Sequence, residues 1–446
     1  MHKYHHQCVE EFDPQNEASY LGSPPPQTVQ IGHGSTKDSM LSNSYGKSAA
    51  SDSEIATLSL KRAFPVIVIC LLLVWWRAKL LFTPLPPYDF MTYWAGGRLF
   101  LSGSNPYSAS AMYAIERSLG WSYTQPLVML NPPWALPFAV LLGVLPFQIA
   151  HYLWLVVSLI LEAISSIALW RYFGGQKRKQ WIALVLLATF LPAGSAEYMG
   201  QATPLMLAGL TAFLYLLRHQ RYLLAGACLL TLGLKPHLLY LVFLAILLWA
   251  LQTRKWSLLM SSILAYASTT IATIIYNRNV LGYFHGAVHA AMDTSCGVGG
   301  VLRSIFGMQH AWLQVLPTAI GTAWFAHYWI RNRRGWTWEE RLPLVLLVSL
   351  STTPYFWAHD FVLAIPALVA LAVAISETRT DWLVASAFYF LAQKAIFSEA
   401  ELMSTAWMAT ASLLWLVLYQ VGTSGLARTE GITIDPRQRL SLFTHP

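Results

Sequence analysis

The chain alternates long apolar runs with short polar breaks, a pattern that predicts helices living in a membrane. Runs near 63–82, 150–171, 181–196, 203–218, 222–234, 237–252, 256–276, 311–330, 342–354, 360–376, 382–397 and 402–420 read as spans. A span needs about 20 apolar residues, and the fifth and ninth runs are short of that. One further run, NPPWALPFAVLLGVLPF at 131–147, is apolar but offers only about 15 residues between its prolines. It reads as a short span, or as a re-entrant or in-plane helix. Charge separates these readings. If 131–147 does not cross, then Arg171, Lys177, Arg178, Lys179, Arg218, Arg221, Arg254, Lys255, Arg331, Arg333, Arg334, Arg341 and Arg379 all fall on one side. The positive-inside rule makes that side the cytoplasm. The expectation is an all-α polytopic membrane protein of about 12 transmembrane helices with both termini in the cytoplasm.

The polar stretches set the domain limits. Residues 1–60 are rich in Ser, Gln, Pro, Gly and His and bury too little apolar surface to fold alone, so they read as a disordered cytoplasmic tail. Residues 61–425 form the membrane domain and 426–446 a second cytoplasmic tail. The first apolar run starts only after Lys61 and Arg62, and no signal peptide is read ahead of it. Directly after that run comes PLPPYDFMTYWAGGRLFLSGSN, residues 84–105. Phe90–Ser102 predicts a helix lying at the outer interface, closed by turn residues in SGSNPY.

Composition agrees. The chain of 446 residues is 55% hydrophobic and 11% charged, against roughly 25% charged in a soluble domain. Its 19 Trp and 21 Tyr suit interfacial belts. The net charge of +8 is scattered between apolar runs, which follows topology rather than a nucleic-acid footprint. Cys8, Cys70, Cys228 and Cys296 lack metal-binding spacing, and no disulfide framework is expected. His285 and His289 are helix-spaced but belong to no HExxH pattern, so no metal and no other cofactor is expected.

This topology gathers Asp89, Arg98, Glu197, Gln201, Lys235, His237, Arg278, His285, His289, Asp293, Arg303, His310, His359 and Asp360 on the outer face. Ionisable groups near helix ends on one face suit an enzyme working at the outer leaflet. A transporter more often carries such groups near the midplane, on broken helices.

Four local patterns occur in order. They are Asp89-x-x-x-Tyr93-x-Ala95 with Gly103-x-Asn105-Pro106-Tyr107; Asn131-Pro132-Pro133-Trp134 with Leu136-Pro137-Phe138; Gly200-Gln201 with Gly233-Leu234-Lys235-Pro236; and Pro354-Tyr355-Phe356-Trp357-Ala358-His359-Asp360. Together, over about residues 63–420, they resemble the polytopic glycosyltransferases of family 87. The chain departs from many relatives in having Asn131, not Tyr, before its proline pair, and in its long polar N-terminus. The resemblance implies the GT-C fold and a polyprenyl-phosphate sugar donor. It also implies a lipid or glycan acceptor and action on the extracytoplasmic side of the plasma membrane, with mannose or arabinose among the sugars such relatives move. It implies Asp89 as catalytic base and a role for His359, and it alone singles out Gln201.

A phosphate leaving group departs without a strong acid, so one carboxylate suffices to deprotonate the acceptor for a single inverting displacement. Charge gathering on that phosphate calls for cations. Lys235, Arg98, Arg278, Arg303 and His359 are the candidates. Tyr93, Arg98, Asn105, Gln201, Lys235 and His237 make up the substrate-binding set, the aromatics Tyr88, Tyr93, Trp94 and Tyr107 suiting a sugar or prenyl face. Plainer readings stand beside these. Asp89 also suits a helix N-cap, Asp360 likewise, and Lys235 a snorkelling residue. Glu116, the other carboxylate of the first long loop, reads as solvated beside Arg117. A polyprenyl-diphosphate glycan ligase or polymerase, and a transporter or flippase, remain the alternatives.

Overall fold

Apolar runs punctuated by Pro and Gly fold into helices of very unequal length. The computed structural model describes residues 67–75, 77–79, 88–291, 297–376, 382–394 and 401–429. Every regular element among them is helical. Helical residues 67–75 and 77–79 (α1) are followed by α2 (Tyr88–Leu101), α3 (Ala109–Ser118), α4 (Leu136–Gly143), α5 (Phe147–Tyr172), α6 (Trp181–Thr189), α7 (Leu191–Met199), α8 (Thr203–Arg218) and α9 (Tyr222–Leu232). Then come α10 (Tyr240–Gln252), α11 (Trp256–Tyr276), α12 (Val280–Ala291), α13 (Gly297–Phe306), α14 (Trp312–Asn332), α15 (Trp338–Thr352), α16 (Ile365–Ser376), α17 (Trp382–Lys394) and α18 (Glu401–Thr429). The last of these runs past the expected boundary at 425. The expected tail 1–60 lies outside the described residues, as does the C-terminal tail beyond Thr429.

Among the described residues three helices are long and apolar enough to cross a membrane: Phe147–Tyr172, Trp256–Tyr276 and Ala358–Ser376, the last formed by a 3-10 turn running into α16. One further pair, Lys177–Thr189 with Leu191–Met199, passes the same test only when taken together across a 58° bend. The expectation of about 12 spans, two of them short, therefore meets a different distribution of lengths. The 11 residues of α9 reach only about 16 Å at 1.5 Å per residue, against roughly 30 Å of hydrocarbon. Proline and glycine explain the shortening. Pro137, Pro146, Pro192, Pro204 and Pro236 stand at or next to helix starts, where a missing N–H does least harm, and Gly200 and Gly233 stand at helix ends. At 21 residues α14 has the length, but Gln314, Thr318, Thr322 and His327 dilute its apolar character.

Exposure tells which helices face lipid. On α5, Tyr152, Val156, Ile160 and Ile164 repeat every fourth residue and are exposed, while Trp154, Ser158 and Glu162 are buried on the opposite face. An apolar exposed stripe of that kind is a lipid-facing surface. α11 is mostly exposed and Ala358–Ser376 almost wholly enclosed, so the latter is the centre of the bundle. The segment expected at an interface is also enclosed. In α2, residues 90–97 are buried without a break, because FMTYWAGG offers no polar face to water. Small residues allow this. A Cβ on Gly97 would sit 2.0 Å from the Ala139 carbonyl oxygen, and one on Gly143 would sit 2.8 Å from the backbone of Gly97. α2 and α4 therefore meet backbone to backbone.

Candidate functional site

Asp89 stands in the first turn of α2, inside the helix rather than capping it. Its carbonyl accepts from Thr92 Oγ1 at 2.8 Å. Its half-buried carboxylate accepts through Oδ2 from the side-chain amide of Gln201. The other end of that amide, Gln201 Oε1, accepts from the Tyr93 hydroxyl at 3.0 Å. A carboxylate takes only donors, so these two contacts fix which way the amide points. Gln201 is itself held from behind. Trp154 Nε1 donates to the carbonyls of Gly200 at 3.1 Å and Gln201 at 3.3 Å. Gly200 ends α7 in the left-handed region, φ 68°, which turns the chain toward Asp89.

That turn yields a prediction. A Cβ at Gly200 would lie 2.4 Å from Phe90 Cβ, and the left-handed backbone costs a non-glycine residue about 1–2 kcal/mol. Gly200→Ala is expected to lower the melting temperature and to move Gln201 off Asp89, cutting activity more than Gly282→Ala, where a Cβ meets open space. Parallel melting curves and activity assays on the two variants check it.

Across from this trio lies a second cluster. Lys235 Nζ donates to Asp360 Oδ1 at 2.7 Å, and both side chains are buried or nearly so. Asp360 Oδ2 accepts from the Trp357 amide at 2.9 Å, so its capping role and its ion pair coexist. His359 Nε2 is 3.7 Å from Asp360 Oδ1, and the His359 carbonyl accepts from Thr203 Oγ1 at 3.3 Å. The buried Nε2 atoms of His359 and His237 have no hydrogen-bond partner among the described residues. His237 lies edge-on to Tyr355, ring centres 5.8 Å apart. The two halves are close enough to interact electrostatically, Asp89 with His359 and Asp360 with Tyr93.

The sequence patterns assemble one another. Asn131 Nδ2 donates to the Leu234 carbonyl and Trp134 Nε1 to the Gly233 carbonyl, each at 2.8 Å. The Asn-Pro-Pro-Trp segment is thus a clamp on the loop that presents Lys235, a role not foreseen in the sequence. Lys235 does not snorkel, since its ammonium is held inside by Asp360. Asp89, Tyr93, Gln201, Lys235, His237 and His359 are brought together.

Arg98 and Asn105 are not. Arg98 is exposed, stacked over Trp94 at 5.3 Å, and nine residues along α2 carry it roughly 13 Å from Asp89. Asn105 Oδ1 accepts from the Tyr107 amide at 2.9 Å and serves its own turn. Arg278 and His285 are exposed, and Arg303 is buried against the Met308 carbonyl at 2.7 Å. Asp293 and Cys296, with the side chains of Tyr88 and His289, lie outside the described residues. Among the described residues no three His, Cys, Asp or Glu gather as a metal site.

Glu116 corrects the sequence reading outright. It is fully buried rather than solvated, its Oε2 accepts from the Leu127 amide at 3.1 Å, and Arg117 turns away to the Trp121 carbonyl at 2.9 Å. Burial pushes its carboxyl up to about 7, with the Leu127 hydrogen bond opposing. A carboxyl raised in the folded state binds its proton more tightly than in the unfolded chain. Its contribution to stability is then fullest below the unfolded value and is lost as pH rises through about 7. The melting temperature is expected to fall between pH 5 and 8, and Glu116→Gln to flatten that slope. An unchanged slope in the variant would assign the pH dependence to other groups.

With this geometry in place, comparison with known proteins supplies the class. The profile of glycosyltransferase family 87 matches residues 130–354. That is half of the chain, and the chain belongs to this family. It is a glycosyltransferase. The matched stretch contains the Lys235 loop, its Asn131–Trp134 clamp and Gln201, whereas Asp89 precedes it and His359 and Asp360 follow it. No curated protein and no solved structure matches the chain.

Proposed function

We propose that this glycosyltransferase moves a sugar, mannose first among the candidates, from a polyprenyl-phosphate donor to a lipid or glycan acceptor. The transfer takes place at the outer face of the plasma membrane and inverts the anomeric centre. The observation that carries the reading is the placement of Asp89, fixed by Gln201, opposite Lys235, Asp360 and His359 in an enclosed site of a membrane bundle. Asp89 takes the proton of the acceptor hydroxyl. Lys235 has three N–H donors, of which Asp360 takes one, and another suits an oxygen of the departing phosphate. The unpartnered Nε2 of His359 suits the same phosphate or the acceptor. Beside Lys235, an apolar groove of about 630 Å³ lined by Trp134, Pro236, Phe243, Ile263, Tyr266 and Ile271 fits a prenyl chain.

The test is transfer by purified protein in lipid nanodiscs, with labelled polyprenyl-phosphate mannose and then other polyprenyl-phosphate sugars. Labelled membrane lipid or glycan is expected. Transfer from nucleotide sugars alone would overturn the donor class. The sidedness has its own check. In a cysteine-free background, a Cys at Ser118, exposed at the end of α3, is expected to react with an impermeant reagent in whole cells, and a Cys at Lys177 is not. Strong labelling at Lys177 would reverse the topology.

A further inference from the structure

The most charged buried cluster outside the site lies at the break between α6 and α7. Arg77, at the end of α1, is buried. Its guanidinium grips both carboxylate oxygens of Glu197, Nε donating to Oε2 at 2.9 Å and Nη2 to Oε1. Nη2 also reaches Glu162 Oε2 at 3.3 Å, midway along α5, and Nη1 donates to the Leu187 carbonyl in the last turn of α6. Arg77 therefore holds α6 on one side of the 58° bend and α7 on the other. Gln393 Oε1 meets the Leu191 amide, freed by the break, at 2.6 Å. Gly194 lets the arginine stem pass, since a Cβ there would lie 3.0 Å from Arg77 Cγ.

Glu197 is one turn from the site. The Gly200 amide donates to the Glu197 carbonyl at 3.1 Å and the Gln201 amide to the Ala196 carbonyl at 2.8 Å. This hydrogen-bonded turn connects Glu197 to Gln201, and Gln201 connects in turn to Asp89 and Tyr93. A fork-shaped bidentate contact fixes direction as well as distance, which a lysine could not reproduce.

We propose that Arg77 is a positioning residue for sugar transfer: by clamping the α6–α7 bend through Glu197 and Leu187, it sets the reach of Gln201 to Asp89. The inference rests on the reading that Asp89 stands at the reacting centre.

The experiment is a double-mutant cycle on the full chain in nanodiscs, with polyprenyl-phosphate mannose as donor. Arg77→Lys is expected to lower kcat about 10-fold, since a misplacement of about 1 Å is worth up to 10²-fold, with KM moving less than about twofold. In a Gln201→Ala background the same change is expected to lower kcat less than about twofold, because the link it acts through is already gone. Additive losses in the two backgrounds overturn the proposal. Glu197→Asp, which keeps both charges and shortens the arm by one methylene, repeats the cycle where Arg77→Lys does not fold. A second readout needs no donor. Hydrogen exchange over 197–203 is expected to quicken in Arg77→Lys while exchange in α11 stays unchanged, and a uniform rise across the bundle would make Arg77 a general stabiliser instead. The base assignment fails separately, if Asp89→Asn keeps its activity. The cycle still reads the coupling of Arg77 to Gln201 in that event.

Discussion

Replacing Asp89 with Asn is expected to leave a folded protein whose sugar transfer is lowered about 10²-fold or more, the usual scale for loss of a general base. The substitution is nearly isosteric. Asn Oδ1 still accepts from the Gln201 amide, so the link between Gln201 and Tyr93 survives and only the proposed proton acceptor is lost. Glu116→Gln is the matched control. Its carboxyl is buried, and a Gln there still accepts from the Leu127 amide. Near-normal transfer is expected from it. Retained activity in Asp89→Asn together with loss in Glu116→Gln would move the base from one carboxylate to the other.

Some polar residues of the site were legible because an apolar chain makes them conspicuous. Asp89, Lys235 and His359 stood out at run ends, Gln201 was singled out by the family resemblance alone, and the four converge. What joins them was not legible. The Lys235–Asp360 pair spans 125 positions, and the Arg77–Glu197 pair spans 120. No periodicity in the sequence reports contacts of that range. Glu162, an acid within the apolar run 150–171, faces Arg77. Glu116 was misread through its neighbour, although adjacent residues on a helix point to different sides and cannot pair. Arg98 shared the helix of Asp89 but not its end. The helical class followed directly from the apolar runs, whereas the span lengths did not. Whether a proline starts a new helix or bends an old one depends on what receives the freed backbone groups, such as Arg77 at the Leu187 carbonyl.

Lys235 separates stabilising from reacting roles most sharply. Lys235→Met keeps the length of the side chain and removes its charge, leaving the Asp360 carboxylate, 1% exposed, with only the Trp357 amide and the nearby His359 ring. Removing one partner of a buried ion pair costs about 3–5 kcal/mol, so a large drop in melting temperature is expected together with loss of transfer. Lys235→Met combined with Asp360→Asn removes the orphaned charge while the new amide oxygen still accepts from the Trp357 amide. Most of the thermal stability is therefore expected to return. Transfer is not, because under the proposed reaction no lysine then meets the charge that develops on the departing phosphate, and a deficit of about 10²-fold should persist, as for loss of one preorganised donor. Thermal melts and single-turnover transfer on the same preparations read both effects. Recovery of transfer alongside stability would show that Lys235 acts only to neutralise Asp360, and the phosphate would have to find its partner elsewhere, His359 first.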